Sequence, residues 1–181
     1  MCTQPIPDEH SHVVNVASRN LLCVCRACYL LFTHEGAAGG KYRAVPERYV
    51  YDASFQLSDA RWDELQIPVK MAFFFFNSQL GRFVAFYPSP AGATESLLGL
   101  EAWDEIARAN PSIATLQPDV EALLVYGRRE GTFDCFLVPI NACYELVGRV
   151  KLRWKGFDGG EEAWRDIELF FSGLREKSRV Q

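Results

Sequence analysis

The chain has 181 residues, a length that fits one domain whose core can fold without disulfides or a metal as its main support. Hydrophobic residues make up 49% of it and charged residues 23%, values that exclude a disordered chain and a fibrous repeat. The formal net charge of −4 offers no attraction to a phosphate backbone or an anionic leaflet, so neither nucleic acid nor a membrane surface is the expected partner.

The opening residues carry Pro5, Pro7, Asp8 and Glu9 before any apolar run, and so lack the basic and apolar regions of a secretion signal. The expected location is the cytoplasm. The longest apolar run, residues 71–76, is far short of the roughly twenty residues that cross a bilayer. In an intracellular setting, six cysteines point to metal ligands, buried apolar side chains or redox groups rather than structural bridges.

Taken in chain order, residues 13–16 and 21–25 alternate like two strands of a hairpin around the turn at Ser18, Arg19 and Asn20. Residues 33–41, with three glycines and two alanines, have neither helical nor strand periodicity and read as a flexible loop. Residues 42–51 have strand composition, but Pro46 confines them to a sheet edge or an irregular segment. Ser58 opens one or two helical turns over residues 58–65 as an N-cap. Residues 69–76 and 81–87 form a second, largely buried hairpin.

Residues 95–109 carry Leu97, Leu98, Leu100, Trp103 and Ile106 in a helical pattern that Pro111 ends. A third hairpin follows, from residues 120–126 and 133–138 around a turn at 127–131. Two helices close the chain. Residues 141–154 are capped by Asn141, with Tyr144, Val147, Val150 and Trp154 on one stripe. Residues 161–177 present Trp164, Ile167, Phe170, Phe171 and Leu174, and a Gly-rich turn at 156–160 joins the pair. The expected architecture is α+β: a Cys/His metal-knuckle head with its Gly-rich loop over 1–40, then a body over 41–181 in which an antiparallel hairpin sheet is packed by C-terminal helices. Head and body should form one compact unit.

The chemistry lies in the head. Cys25-Arg26-Ala27-Cys28 is a C-x-x-C, a spacing in which a tight turn points two thiolates at one ion while its backbone N–H groups offset their charge. Further ligands must come from Cys2, His10, His12 and Cys23. The preferred set is Cys2, Cys25 and Cys28 with His10 or His12, and Cys23 competes because it shares a strand face with Cys25. A dithiol redox role lacks the βαβ context it needs, and unligated buried cysteines are the plain alternative. Cys135 and Cys143 read as core residues. Zinc is the expected ion for mixed Cys/His ligation, with iron or an iron–sulfur group as the alternative.

No catalytic apparatus is recognisable. The run 36–41 lacks the G-K-[ST] ending of a phosphate loop, and Ser89 and Ser96 lack a nucleophile-elbow context. Residues 88–96, with Pro88, Ser89, Pro90, Gly92, Thr94 and Glu95, form a small-residue loop between a buried strand and a helix, where a ligand or partner could bind. The competing view is a simple strand-to-helix connection capped by Thr94 or Ser96.

The phrases GGKYRAVPERY at 39–49, QIPVKMAFFF at 66–75, AFYPSPAGATES at 85–96, PDVEALLV at 118–125 and CFLVPINACYELVGRVKLRWKGFDGG at 135–160 resemble an uncharacterised bacterial family of unknown function. The resemblance covers nearly the whole chain. Members of that family are often encoded beside the genes of nickel–iron hydrogenases, which implies an accessory role and a protein partner such as a hydrogenase subunit or maturation factor. The family's pattern places a C-x-x-C ahead of the P-I-P-x-E-H-x-H stretch, and of that pair only Cys2 has a match here. The expected function is therefore a non-catalytic, metal-binding accessory or assembly protein, with iron–thiolate electron transfer or metal delivery as the alternative and an enzyme using residues 88–96 behind both.

Overall fold

The computed structural model describes residues 2–34, 36–96, 101–129 and 131–181. Strands β1 (Ser11–Asn15) and β2 (Asn20–Val24) form the expected first hairpin, with Ser11 opposite Val24 and Asn15 opposite Asn20. β2 runs straight into helix α1 (Arg26–Leu31), which periodicity did not reveal because it is less than two turns long. A 3-10 turn at Ala37–Gly40 then leads to β3 (Tyr42–Ala44), which pairs with β1 to give a sheet of order β2-β1-β3. Residues 42–44 are thus hydrogen-bonded into the head's sheet.

The body is a seven-stranded sheet. Its strands are β4 (Val50–Tyr51), β5 (Met71–Asn77), β6 (Arg82–Ser89), β7 (Gly92–Glu95), β8 (Glu121–Arg129), β9 (Thr132–Pro139) and β10 (Arg179–Val180), in the order β10-β4-β9-β8-β5-β6-β7. Neighbours are antiparallel except β10 and β4, which run parallel. The helices are α2 (Asp59–Glu64), α3 (Glu101–Ala109), α4 (Ile140–Arg153) and α5 (Gly160–Lys177), with a 3-10 turn at Pro111–Thr115.

The strands alternate sides, and both sides are covered, which is why β5 reads as an unbroken apolar run instead of an alternating one. Phe73 and Phe75 of β5, Leu124 and Tyr126 of β8, and Phe136 and Val138 of β9 face α4 and α5, meeting Leu146, Val150, Ile167, Phe171 and Leu174. Ala72, Phe74, Leu123, Val125, Cys135 and Leu137 face the other way, against Trp62, Trp103, Ile106 and Ile113. Phe74 stacks on Trp103 at 4.3 Å and Tyr126 on Phe171 at 4.1 Å, so one aromatic pair anchors a helix on each face. The head follows the same rule in miniature. Val13 points into a small core with Val24, Cys28 and Phe32, while its neighbour Val14 joins the α4/α5 layer of the body.

Several boundaries differ from the sequence expectation. Residues 88–96 are not a strand-to-helix connection: β6 continues to Ser89, turns through Pro90 and Ala91, and returns as β7. Gly92, at φ +122, permits that turn. Glu95 belongs to β7 rather than to a helix, α3 is described over Glu101–Ala109, and Leu97, Leu98 and Leu100 lie outside the described residues. The cap of α4 is Pro139 rather than Asn141, because β9 passes directly into the helix. Tyr144 and Trp164 sit at the rims of their stripes, at 37% and 36% exposure, with Leu146 and Ala163 buried instead. Ser58 caps α2 as expected, its Oγ accepting the Arg61 N–H at 3.3 Å, and Glu161 and Glu162 occupy the first turn of α5. No helix among the described residues is long and apolar enough to cross a membrane.

Candidate metal centre

The end of β2 determines where the first thiols go. Cys25 follows the last residue of β2 and is the extended N-cap of α1, at φ −69 and ψ 162, and Cys28 lies one turn into the helix. Cys28 is buried with Val13, Val24 and Phe32, which holds its Sγ from below. The N-terminal segment brings Cys2 onto this corner, its Sγ 3.2 Å from Cys25 Sγ and 3.3 Å from Cys28 Sγ. All three sulfurs lie within 4.8 Å of one another. In a zinc–thiolate tetrahedron with bonds of about 2.3 Å the sulfurs stand about 3.8 Å apart, so a spreading of about half an ångström admits an ion. The donor chemistry fits a soft or borderline cation and not magnesium or calcium.

The two histidines gather with Cys23. The β1–β2 register places His12 opposite Cys23, and His10, just ahead of β1, lays its ring 4.7 Å from that of His12 at 47°. One donor atom from each of His10, His12 and Cys23 lies within 4.8 Å of the other two, so the six candidate ligands fall into two triads. Burial, and secondarily the neighbouring His10, lowers the His12 pKa below its ordinary value, which favours the neutral imidazole that can ligate. His10 Nδ1 lies 3.0 Å from the Pro7 carbonyl and 2.9 Å from that of Asp8.

The sequence profile of a family of unknown function, DUF5947, matches residues 1–178. The chain belongs to the DUF5947 family. No curated protein and no solved structure matches it, and the family match carries no link to hydrogenase genes.

Elsewhere in this DUF5947 chain, Cys135 and Cys143 are fully buried, and burial pushes both thiols well above the ordinary cysteine range, so they are inert core residues as expected. In the 88–96 segment the polar side chains serve the hairpin itself. Ser89 Oγ accepts the Ala91 N–H at 3.2 Å, donates to the Gly92 carbonyl at 3.0 Å, and lies 2.9 Å from Thr94 Oγ1. Glu95 has a different setting: it lines a cavity of about 240 Å3 between head and body, with Arg19, Leu21, Phe75, Phe86 and Tyr144. Sequence reasoning missed this cavity, because its walls come from stretches far apart in the chain that only the docking of the head on the sheet brings together.

Proposed function

We propose that this protein is a non-catalytic, metal-binding accessory or assembly protein, in which an ion held by Cys2, Cys25 and Cys28 stiffens the head for docking on a protein partner. The observation that carries the reading is the convergence of three free thiols from two distant stretches of chain, with Sγ separations of 3.2 and 3.3 Å. Metal ligation explains why a hydrophilic N-terminal segment should fold back onto α1. Zinc is the proposed ion, since thiolates arranged around a small corner suit a closed structural site. The head also supplies a contact surface: Leu30 and Leu31 of α1 are half-exposed or more, at 50% and 58%. The resemblance stated above supports a hydrogenase subunit or maturation factor as that partner, and six unpaired cysteines support a reducing, cytoplasmic setting.

Exposure of Cys2 favours a second reading, iron–thiolate electron transfer or delivery of the ion to another protein. Elemental analysis and an absorption spectrum of protein purified without added metal, compared with Cys25→Ser/Cys28→Ser, separate the two. Colourless protein that loses one equivalent of zinc in the variant supports the structural knuckle. Iron with visible charge-transfer bands supports the second reading, and metal content unchanged by the variant overturns both.

A further inference from the structure

We propose that the head carries a second, separate ion site, built from His10, His12 and Cys23, for an exchangeable transition-metal ion of the zinc class. The assignment deepens the metal-binding reading above but stands on different donors. Three features of the structure carry it.

The first is the convergence itself. Two imidazoles and one thiol each bring a donor atom within 4.8 Å of the others, and no member of the Cys2, Cys25 and Cys28 set belongs to that group. The second is orientation. Both acceptors at His10 Nδ1 are carbonyl oxygens, which cannot donate, so Nδ1 carries the proton and the lone pair is left on Nε2. A histidine whose other ring nitrogen is tied to a backbone carbonyl is the usual arrangement around a bound metal, because the bond fixes the tautomer and the ring direction. The third is the scaffold. His12 and Cys23 are cross-strand partners in a hairpin whose register is fixed by five residue pairs, so their spacing is set by the sheet and not by a loop.

Two nitrogens and a thiolate select zinc, nickel or copper over magnesium and calcium. With three protein donors the fourth position falls to water or to a group on another molecule, as in zinc sites that react or exchange rather than merely brace a fold. Cys23 is exposed, so this position opens to solvent, in contrast to the buried Cys28 of the first triad. Binding takes the proton from the Cys23 thiol and releases it to water. The two sites are joined through Cys23-Val24-Cys25, so an ion handed to a partner at the outer site leaves next to the knuckle that positions the head.

Equilibrium dialysis of the metal-free full chain against Zn2+, followed by elemental analysis, tests the assignment. The variants are His10→Ala/His12→Ala, Cys23→Ser alone, and Cys25→Ser/Cys28→Ser, each checked for native circular dichroism. The proposal expects about two ions bound by the wild type and about one by each variant. Because Cys23 is exposed, its replacement by serine leaves the fold intact and keeps the test decisive if the histidine variant unfolds. With Co2+ as probe, the ion retained by Cys23→Ser should keep strong thiolate-to-metal absorption, and that retained by Cys25→Ser/Cys28→Ser should show a weaker band from a single thiolate. Wild-type protein that binds about one ion, kept when His10 and His12 are removed, overturns the second site and leaves the thiol centre standing. One ion lost equally in all three variants also overturns it, in favour of a single shared site.

Discussion

Gly159→Ala should destabilise the protein, while Gly148→Ala, eleven residues earlier, should stabilise it. Gly159 sits at φ +86 in the turn between α4 and α5, and a Cβ built there would lie 2.8–2.9 Å from three atoms of the Trp154 ring. Left-handed backbone costs a non-glycine residue about 1–2 kcal/mol. Forcing a methyl into a filled space adds about 1–3 kcal/mol, and the Trp154 indole is a rigid ring tilted against Trp164, so it cannot yield by rotating a flexible end. The sum is about 2–5 kcal/mol, and at roughly 2–4 °C per kcal/mol for a chain of this size the expected fall in Tm is on the order of 10 °C. Gly148 lies inside α4, and nothing comes within 4 Å of a Cβ added to it, so alanine there gains roughly 0.5–1 kcal/mol in helix propensity and raises Tm by a few degrees. Differential scanning calorimetry on both variants at equal metal loading reads the two shifts. A Gly159→Ala protein within about a degree of wild type would refute the account of the turn, and a Gly148→Ala protein less stable than wild type would refute the account of the helix.

Arg48→Ala should cost about 3–5 kcal/mol in urea unfolding, because it strands Glu121, 1% exposed, whose carboxylate is held by Arg48 Nε at 2.8 Å and Nη2 at 2.7 Å. A loss under about 1 kcal/mol would mean that water replaces the guanidinium without penalty. Phe74→Ala should cost about 3–5 kcal/mol by the same measurement, since it leaves a cavity under Trp103 where the rings now stack at 4.3 Å. In native metal-free protein a thiol reagent should modify Cys2, Cys23 and Cys25 rapidly and Cys135 and Cys143 only after denaturation, because burial both shields the last two and disfavours their thiolates. Prompt labelling of Cys135 in folded protein, read by mass spectrometry, contradicts that burial. Added zinc should protect Cys2 and Cys25 from the same reagent, and a chelator should restore the reaction, since the metal occupies the thiolate that attacks.

Strong local signals made most of the architecture legible in the sequence. The hairpin of β5 and β6 showed itself as two aromatic runs around Asn77, Ser78, Gln79 and Leu80, Ser58 marked a helix start by the orphan N–H it accepts, and Glu161 and Glu162 marked another by their charge in the first turn of α5. Elements whose stability comes from partners far along the chain were not legible. α1 has six residues, β4 and β10 have two each, and each exists because something distant receives it: the head core for α1, and β9 and β4 for the two short strands. The strand β7 was hidden because Gly-Ala-Thr-Glu has weak strand composition, and only pairing with β6 holds it extended.

The candidate site divides in the same way. By itself the sequence determined which donors are available, because Cys2, His10, His12, Cys23, Cys25 and Cys28 are a matter of composition and close spacing, and it joined Cys25 to Cys28 because one turn does so locally. How those donors are grouped was decided by the tertiary structure alone. Cys2 reaches Cys25 and Cys28 by the fold-back of the N-terminal segment, while the β1–β2 register carries His12 to Cys23. A register shifted by one residue would send Cys23 to the opposite face, since side chains alternate along a strand, and that choice is made by which of Val13 and Val14 enters the head core and which meets the body.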